Sequence, residues 1–216
     1  MEPGDVARVY GRVAGRYATT FADEHDGKPG DRRLLDELVV ACRGRGPVLD
    51  VGCGPGHVAR YLHDRGVTAV GLDLVPAMAA EARGRHPDVG IVVADLQRLP
   101  IPDRRAAGVV AFYSLIHLAR PALAPAAREL RRVLRPGGVL LVAVHAGVGD
   151  VHADEFLGEA VAVDATLFSP AELTTAIEAS GCIVDEVLER APYAFEHPTR
   201  RLYVRARAPQ RSPLAS

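Results

Sequence analysis

The sequence has no tryptophan, and only 5% of its residues are aromatic. That scarcity argues against a platform of rings on which nucleic-acid bases stack. Lysine occurs once, at Lys28, and arginine takes its place elsewhere, which reflects codon usage more than chemistry. Charge of one sign is missing too. The formal net charge is −1 and no run of like charge interrupts the chain. A phosphate-rich partner is therefore not expected, since such binding usually leaves a basic patch. The three cysteines, Cys42, Cys53 and Cys182, stand far apart. They offer neither a disulfide framework nor zinc spacing, and small buried thiols in a reducing compartment are expected. No apolar run approaches the roughly 20 residues that cross a bilayer. Residues 1–10 lack a basic-then-apolar secretion pattern. The expectation is a cytoplasmic protein with no nucleic acid and no membrane among its partners.

What is present is a well-supplied core: 48% of the 216 residues are apolar. Val6, Val9, Val13, Tyr17 and Phe21 mark one face of a first helix. Residues 23–30, with Pro29 and Gly30, read as a loop. Asp31 is expected to cap a second helix carrying Leu34, Leu35, Leu38, Val39 and Cys42. The pattern then changes. Short apolar runs at 48–51, 67–73, 89–94, 107–112 and 139–144 read as strands. Helical segments at 57–65, 76–85 and 121–134 lie between them. Strands alternating with helices imply an α/β, doubly wound parallel sheet. Continuously apolar strands fit burial on both faces. Residues 146–168 read as irregular and polar. Ser169-Pro170-Ala171-Glu172 is a capping box with proline at the first helical position. Two last strands follow at 183–188 and 201–206, and the tail from Pro209 is expected to fray. The division expected is one domain over 1–216. It comprises a helical cap (1–46), a ligand-binding core (47–145), a lid (146–168), and a C-terminal helix with a β-hairpin (169–208).

The glycine turn Asp50-Val51-Gly52-Cys53-Gly54-Pro55-Gly56 follows the first strand and opens a helix. Helix N-termini present free N–H groups, and glycines let a ligand approach the backbone. A dinucleotide site wants its third glycine at position 57, where this chain has His57. No phosphate-binding lysine follows, which excludes a P-loop. Asp73, at the end of the second strand, is placed to accept both ribose hydroxyls. A plain helix cap before Pro76 is the alternative. Asp95 ends the third strand, placed to accept amino hydrogens of an adenine while Leu96 packs on its ring. Alone it would read as a turn aspartate. Three acids at three successive strand ends all face the crevice where open sheets bind ligands.

Val48-Leu-Asp-Val-Gly-Cys-Gly-Pro-Gly-His-Val58 resembles the first motif of class I methyltransferases. Val70-Gly-Leu-Asp-Leu-Val-Pro-Ala-Met78 resembles their second, and Leu130-Arg-Arg-Val-Leu-Arg-Pro-Gly-Gly-Val-Leu-Leu141 the approach to their fifth strand. More loosely, Gly27-Lys-Pro-Gly-Asp-Arg32, Phe112-Tyr-Ser-Leu-Ile-His117 and Glu196-His-Pro-Thr-Arg-Arg201 resemble an actinobacterial subgroup of small-molecule methyltransferases. The resemblance implies a seven-stranded sheet of order 3-2-1-4-5-7-6 with the seventh strand antiparallel. It implies S-adenosyl-L-methionine as cofactor and S-adenosyl-L-homocysteine as product. Gly52 would meet the methionine part, Asp73 the ribose, and Asp95 with Leu96 the adenine. Phe112 would lie against the methionine moiety and Tyr17 would close over it. Asp50, Gly54, Gly56, Leu74 and Met78 complete the implied cofactor set.

Methyl transfer needs an in-line nucleophile about 3–3.5 Å away, and a base only where that nucleophile must lose a proton. His117 and His145 are the candidate bases, expected at the ligand-facing rim. His152 is expected above them, and Tyr113 and Ser114 could shape the acceptor pocket. A solvent-exposed or otherwise satisfied imidazole is the plainer reading of each histidine. His145, Asp150, His152, Asp154 and Glu155 form an acid–histidine cluster, but all would come from one loop. A solvated loop without metal is expected. No Asn-Pro-Pro-Tyr-type motif follows the fourth strand, so a small-molecule acceptor is expected, one of secondary metabolism, with the protein a monomer or homodimer. Two alternatives stay open: a member of the fold that binds the same cofactor for cyclisation, elimination or binding alone, and an NAD-dependent oxidoreductase.

Overall fold

A computed structural model describes residues 1–210; most of the tail expected to fray lies outside the described residues. The chain opens with helix α1 (Pro3–Thr20), which buries Val9, Val13, Ala14 and Ala18. A short 3-10 turn (Glu24–Gly27) leads into α2 (Pro29–Cys42). Five apolar residues of α2, Leu34, Leu35, Leu38, Val39 and Cys42, are buried as its spacing predicts. Two expectations fail here. Residues 23–30 are largely helical, not a loop. Pro29 begins α2, so Asp31 sits inside its first turn. It is fully buried and is engaged by distant side chains instead of capping.

The core alternates β1 (Val48–Val51), α3 (His57–His63), β2 (Ala69–Asp73), α4 (Pro76–Arg85), β3 (Gly90–Val93), β4 (Ala106–Phe112), α5 (Arg120–Val133) and β5 (Leu134–Ala146). The C-terminal part adds β6 (Asp150–Ala153), β7 (Val163–Thr166), α6 (Pro170–Ala179), β8 (Ile183–Arg190) and β9 (Arg200–Arg207). Seven strands form one sheet in the order β3-β2-β1-β4-β5-β9-β8. The pairs from β3 to β5 are parallel, and β9 runs antiparallel to both β5 and β8. This is the order expected. Leu123, Leu130, Leu173 and Ile177 of α5 and α6 belong to one apolar layer. Leu34, Leu38, Val58 and Leu62 of α2 and α3 belong to the other. The expected burial of all strands on both faces does not hold for β3. It is a sheet edge, and Val92 and Val93 are 36% and 43% exposed.

Residues 146–168 are not irregular. β6 and β7 form a separate antiparallel hairpin. Val161, in the connection between them, packs with Val9 and Val13 of α1, so the hairpin segment braces α1. The capping box of α6 is present: the Glu172 N–H donates to Ser169 Oγ at 3.2 Å, and the Ser169 N–H donates to Glu172 Oε2 at 2.9 Å. All three cysteines are buried and unpaired. No helix among the described residues is long and apolar enough to cross a membrane.

Candidate active site

The strand order reverses between β1 and β4, and a crevice opens at that switch point. The turn after β1 forms its floor. Asp50 is buried, and its Oδ2 accepts the Ala59 N–H at 2.9 Å, tying the strand to the first turn of α3. Burial pushes the Asp50 carboxyl up to about 7, against the pull of that N–H. Gly52 has φ +77°, and a Cβ there would lie 2.2 Å from Ser114 Cβ. Its lack of a side chain therefore lets the β1 turn touch the segment after β4. Gly54 has more room, since a Cβ there would find Tyr17 nearest, at 3.9 Å. Gly56 differs in role. A Cβ on it would meet His86 and Ala82 at 3.0 and 3.3 Å, so it faces α4 and does not line the cleft.

Asp73 ends β2 in the cleft wall. Its Oδ2 accepts the Gly54 N–H at 2.7 Å and its Oδ1 the Val75 N–H at 2.8 Å. Each oxygen keeps a further lone pair. Burial raises its pKa and the two N–H donors oppose that rise. The Val75 bond lies at the start of α4, as the helix-cap alternative expects, and the carboxylate also lines the cleft. Asp95 accepts the Gln97 N–H at 2.8 Å through Oδ1, a local turn bond, and also lines the cleft. Leu74, Met78, Leu96, Phe112 and Tyr17 complete this wall. With its mouth included, the cleft holds about 1180 Å³ of empty space, enough for a small ligand.

The opposite wall follows β4. Tyr113 adopts φ +55°, uncommon for a residue with a side chain, and with Ser114 it lines the cleft. The Ser114 hydroxyl is buried without a hydrogen-bond partner. His117 also lines the cleft. Its Nδ1 lies 3.3 Å from the Asp164 carbonyl and its Nε2 2.9 Å from Tyr10 Oη. A carbonyl only accepts, so Nδ1 carries the proton and the Tyr10 hydroxyl donates to Nε2. Burial lowers the His117 pKa to about 4, which keeps the imidazole neutral near pH 7.

Two sequence candidates stand apart from this cleft. His145 sits on β5 opposite Arg201, behind Tyr113, its ring centroid 5.2 Å from the tyrosine's. Its Nδ1 is bonded to Thr199 Oγ1 at 2.7 Å. Burial and the Arg201 charge lower its pKa to about 3. His152 lies exposed on β6, paired with Asp164 at 2.6 Å and Asp154 at 3.1 Å, and those carboxylates raise its pKa. Conversely, Tyr10, Glu24, His25 and His57 line the cleft and were not predicted to do so. Tyr10 had a signal: it precedes Tyr17 by seven residues, two turns along one helix face.

The three looser motifs meet behind Tyr113. Tyr113 and Tyr203 hydroxyls are 3.2 Å apart, and Tyr203 donates to Asp31 at 2.7 Å. Arg190 joins Asp31 at 3.0 Å to Glu196 at 2.6 Å. Lys28, buried, pairs with Glu196 at 3.3 Å and with Glu24. Burial alone would raise the Glu196 carboxyl, yet Arg190 and its neighbours hold it down to about 2.

Residues 48–138 match the methyltransferase domain family. The chain is 34% identical over 139 residues to a malonyl-[acyl-carrier protein] O-methyltransferase of Serratia marcescens, covering 63% of this chain and 51% of that one. It is 40% identical over 109 residues to a probable S-adenosylmethionine-dependent methyltransferase of Mycolicibacterium smegmatis, covering 50% of this chain and 41% of the relative. The chain thus spans about half the length of the curated relatives it matches. The fold is shared with the solved [4+2]-cyclase SpnF, at TM-score 0.71, 20% identity and coverage of 95% and 96%. The match over residues 48–138 and the strand order of the sheet agree with the class I methyltransferase fold that the motifs resemble.

Proposed function

We propose that the protein transfers a methyl group from S-adenosylmethionine to a small-molecule acceptor. One observation carries this reading. Asp73 and Asp95 stand at adjacent strand ends in one cleft with Gly52 and Gly54, flanked by the apolar Leu74, Met78 and Leu96. Asp73 retains a free lone pair on each oxygen, as a ribose diol requires. The wall beside Asp95 is apolar, as an adenine ring requires. Carboxylates in the cleft complement the positive charge of the cofactor, which supplies an electrophilic methyl group on a sulfonium. Tyr17 of α1 and Phe156 of the hairpin segment, ring centroids 6.3 Å apart, would cover the site and exclude water. The Tyr10 oxygen, its proton directed at the neutral His117, would receive the acceptor's polar atom, with Tyr113 and Ser114 beside it. His145, placed behind Tyr113, would act by supporting that ring. Convergence of residues 27–32, 112–117 and 196–201 on one buried network supports grouping the chain with the small actinobacterial enzymes its motifs resemble. Three buried, unpaired cysteines suit work in the cytoplasm.

Calorimetry tests the cofactor assignment. S-adenosylmethionine should bind, NADH should not, and Asp73→Ala should weaken binding by roughly 1.5–3 kcal/mol, the worth of a hydrogen bond to a charged acceptor. Unchanged affinity in Asp73→Ala would remove the assignment. Mass analysis of an acceptor incubated with cofactor separates methylation, a gain of one methylene, from cyclisation or elimination on the same fold.

A further inference from the structure

We infer that His25 and His57 receive the carboxylate at the amino-acid end of the cofactor, and that the pair takes up a proton as the cofactor binds. The inference rests on the S-adenosylmethionine reading and extends it to two side chains that no sequence motif singled out. Both line the cleft, together with Gly54 and Pro55. His57 follows the glycine turn at the start of α3, and His25 lies in the 3-10 turn ahead of α2. Among the described residues, no hydrogen bond reaches either imidazole, and His25 Nδ1 and His57 Nε2 are buried without a partner. His117 is different, being bonded at both of its nitrogens. A buried polar group left without a partner costs about 1–3 kcal/mol. Two such rings in one cleft point to a ligand that completes them.

The surrounding charges decide which part of the cofactor these rings suit. The cleft carboxylates Glu24, Asp50, Asp73 and Asp95 complement its ammonium and sulfonium. Its own carboxylate needs donors. Two cations stand nearby, and both are engaged. The Met1 ammonium donates to the His117 carbonyl at 3.0 Å. Lys28 pairs with Glu24 and, at 3.3 Å, with Glu196. An amino-acid chain laid across Gly52 and Gly54 and continuing along the turn meets His57 next.

Burial lowers the His57 pKa to about 4 and lowers that of His25 as well, so both rings are neutral in the cleft near pH 7. Glu24 pulls both upward. At His57 it is opposed by His25 and by Arg85 and His86 at the end of α4. At His25, Asp31 and Asp26 add to the upward pull and Lys28 opposes it. A ligand carboxylate within about 4–6 Å adds an opposite charge, which raises such a pKa by about 1–3. A ring at about 4 then reaches about 5–7. A group that holds its proton more tightly in the complex makes the complex tighter as pH falls through that range.

The test compares S-adenosylhomocysteine with 5′-methylthioadenosine, which lacks the amino-acid end. Both are titrated by calorimetry into the full chain between about pH 7 and pH 5, in buffers of different ionisation enthalpy. Asp73 faces the nucleoside that both share, so its titration cancels in the ratio of their affinities. That ratio should rise about tenfold from pH 7 to pH 5, with proton uptake seen for S-adenosylhomocysteine alone. In the unaltered protein at pH 5, nitrogen chemical shifts should show both rings neutral without ligand and one protonated with S-adenosylhomocysteine. The double variant His25→Gln/His57→Gln keeps amide donors that cannot gain a proton, and should flatten the ratio. A ratio that stays flat in the unaltered protein overturns the inference and leaves the cofactor reading standing. So do rings that remain neutral in the complex, or a rise that persists in the double variant, which would belong to Asp50. Failure of both nucleosides to bind overturns the cofactor reading itself, and the inference with it.

Discussion

Gly52→Ala offers a sharp test of how the cleft floor is built. The position has φ +77°, where an L-residue pays about 1–2 kcal/mol. The new Cβ would also stand 2.2 Å from Ser114 Cβ. No flexible side-chain end can absorb that overlap, so the β1 turn or the segment after β4 must move, at about 1–3 kcal/mol. Together these destabilise the protein by about 2–5 kcal/mol. For a chain of this size, that lowers Tm by roughly 4–20 °C. The two contributions separate in a double-mutant cycle. Ser114→Gly removes the obstructing Cβ, so in its presence Gly52→Ala should cost only the backbone share. The cycle should give a coupling of about 1–3 kcal/mol. Urea titrations of the four proteins measure it. An unchanged midpoint for Gly52→Ala, or a coupling near zero, would refute the claim that this glycine exists to let the two segments touch.

Further outcomes follow from the buried charges. Burial raises Asp50 to about 7, above the roughly 3.9 of an unfolded chain. The folded state thus holds the proton more tightly, and stability falls as pH rises between those values. Asp50→Asn should flatten that slope in pH-dependent urea midpoints; an unaltered slope counts against it. His117 and His145 are lowered to about 4 and 3, so their contribution is full above about 6.5 and is lost as pH falls below it. Both rings should read as neutral by nitrogen chemical shift at about pH 5; a protonated ring there contradicts the burial described. Asp31→Ala removes the carboxylate that accepts from the Tyr203 hydroxyl and one of the two that Arg190 holds, Glu196 remaining, and should cost about 1.5–3 kcal/mol in urea. A loss under about 1 kcal/mol, the surface-pair range, would mean the network is solvated.

The parallel core was legible because each element carries its own local pattern. Short apolar runs, proline at helix starts and glycine at turns need only neighbouring residues. The cleft-lining positions of Asp73 and Asp95 followed for the same reason, since both are fixed by strand ends. The acceptor half depends on contacts across the chain. Expecting His145 at the rim rested on its place at the end of β5. Successive residues of a strand face opposite sides, and only the pairing with Arg201 and Thr199 shows which way it was drawn. Strands β6 and β7 are four residues each, too short to display an alternation. Asp31 looked like a cap because its partners, Arg190 and Tyr203, lie 159 and 172 residues away.

A crystal structure of the protein with S-adenosylhomocysteine tests the central claim most directly. The ribose hydroxyls should lie within hydrogen-bond distance of Asp73, the adenine amino group at Asp95 beside Leu96, and the homocysteine chain across Gly52 and Gly54. Nucleoside density elsewhere, or a cleft that stays empty at saturating ligand, would contradict it.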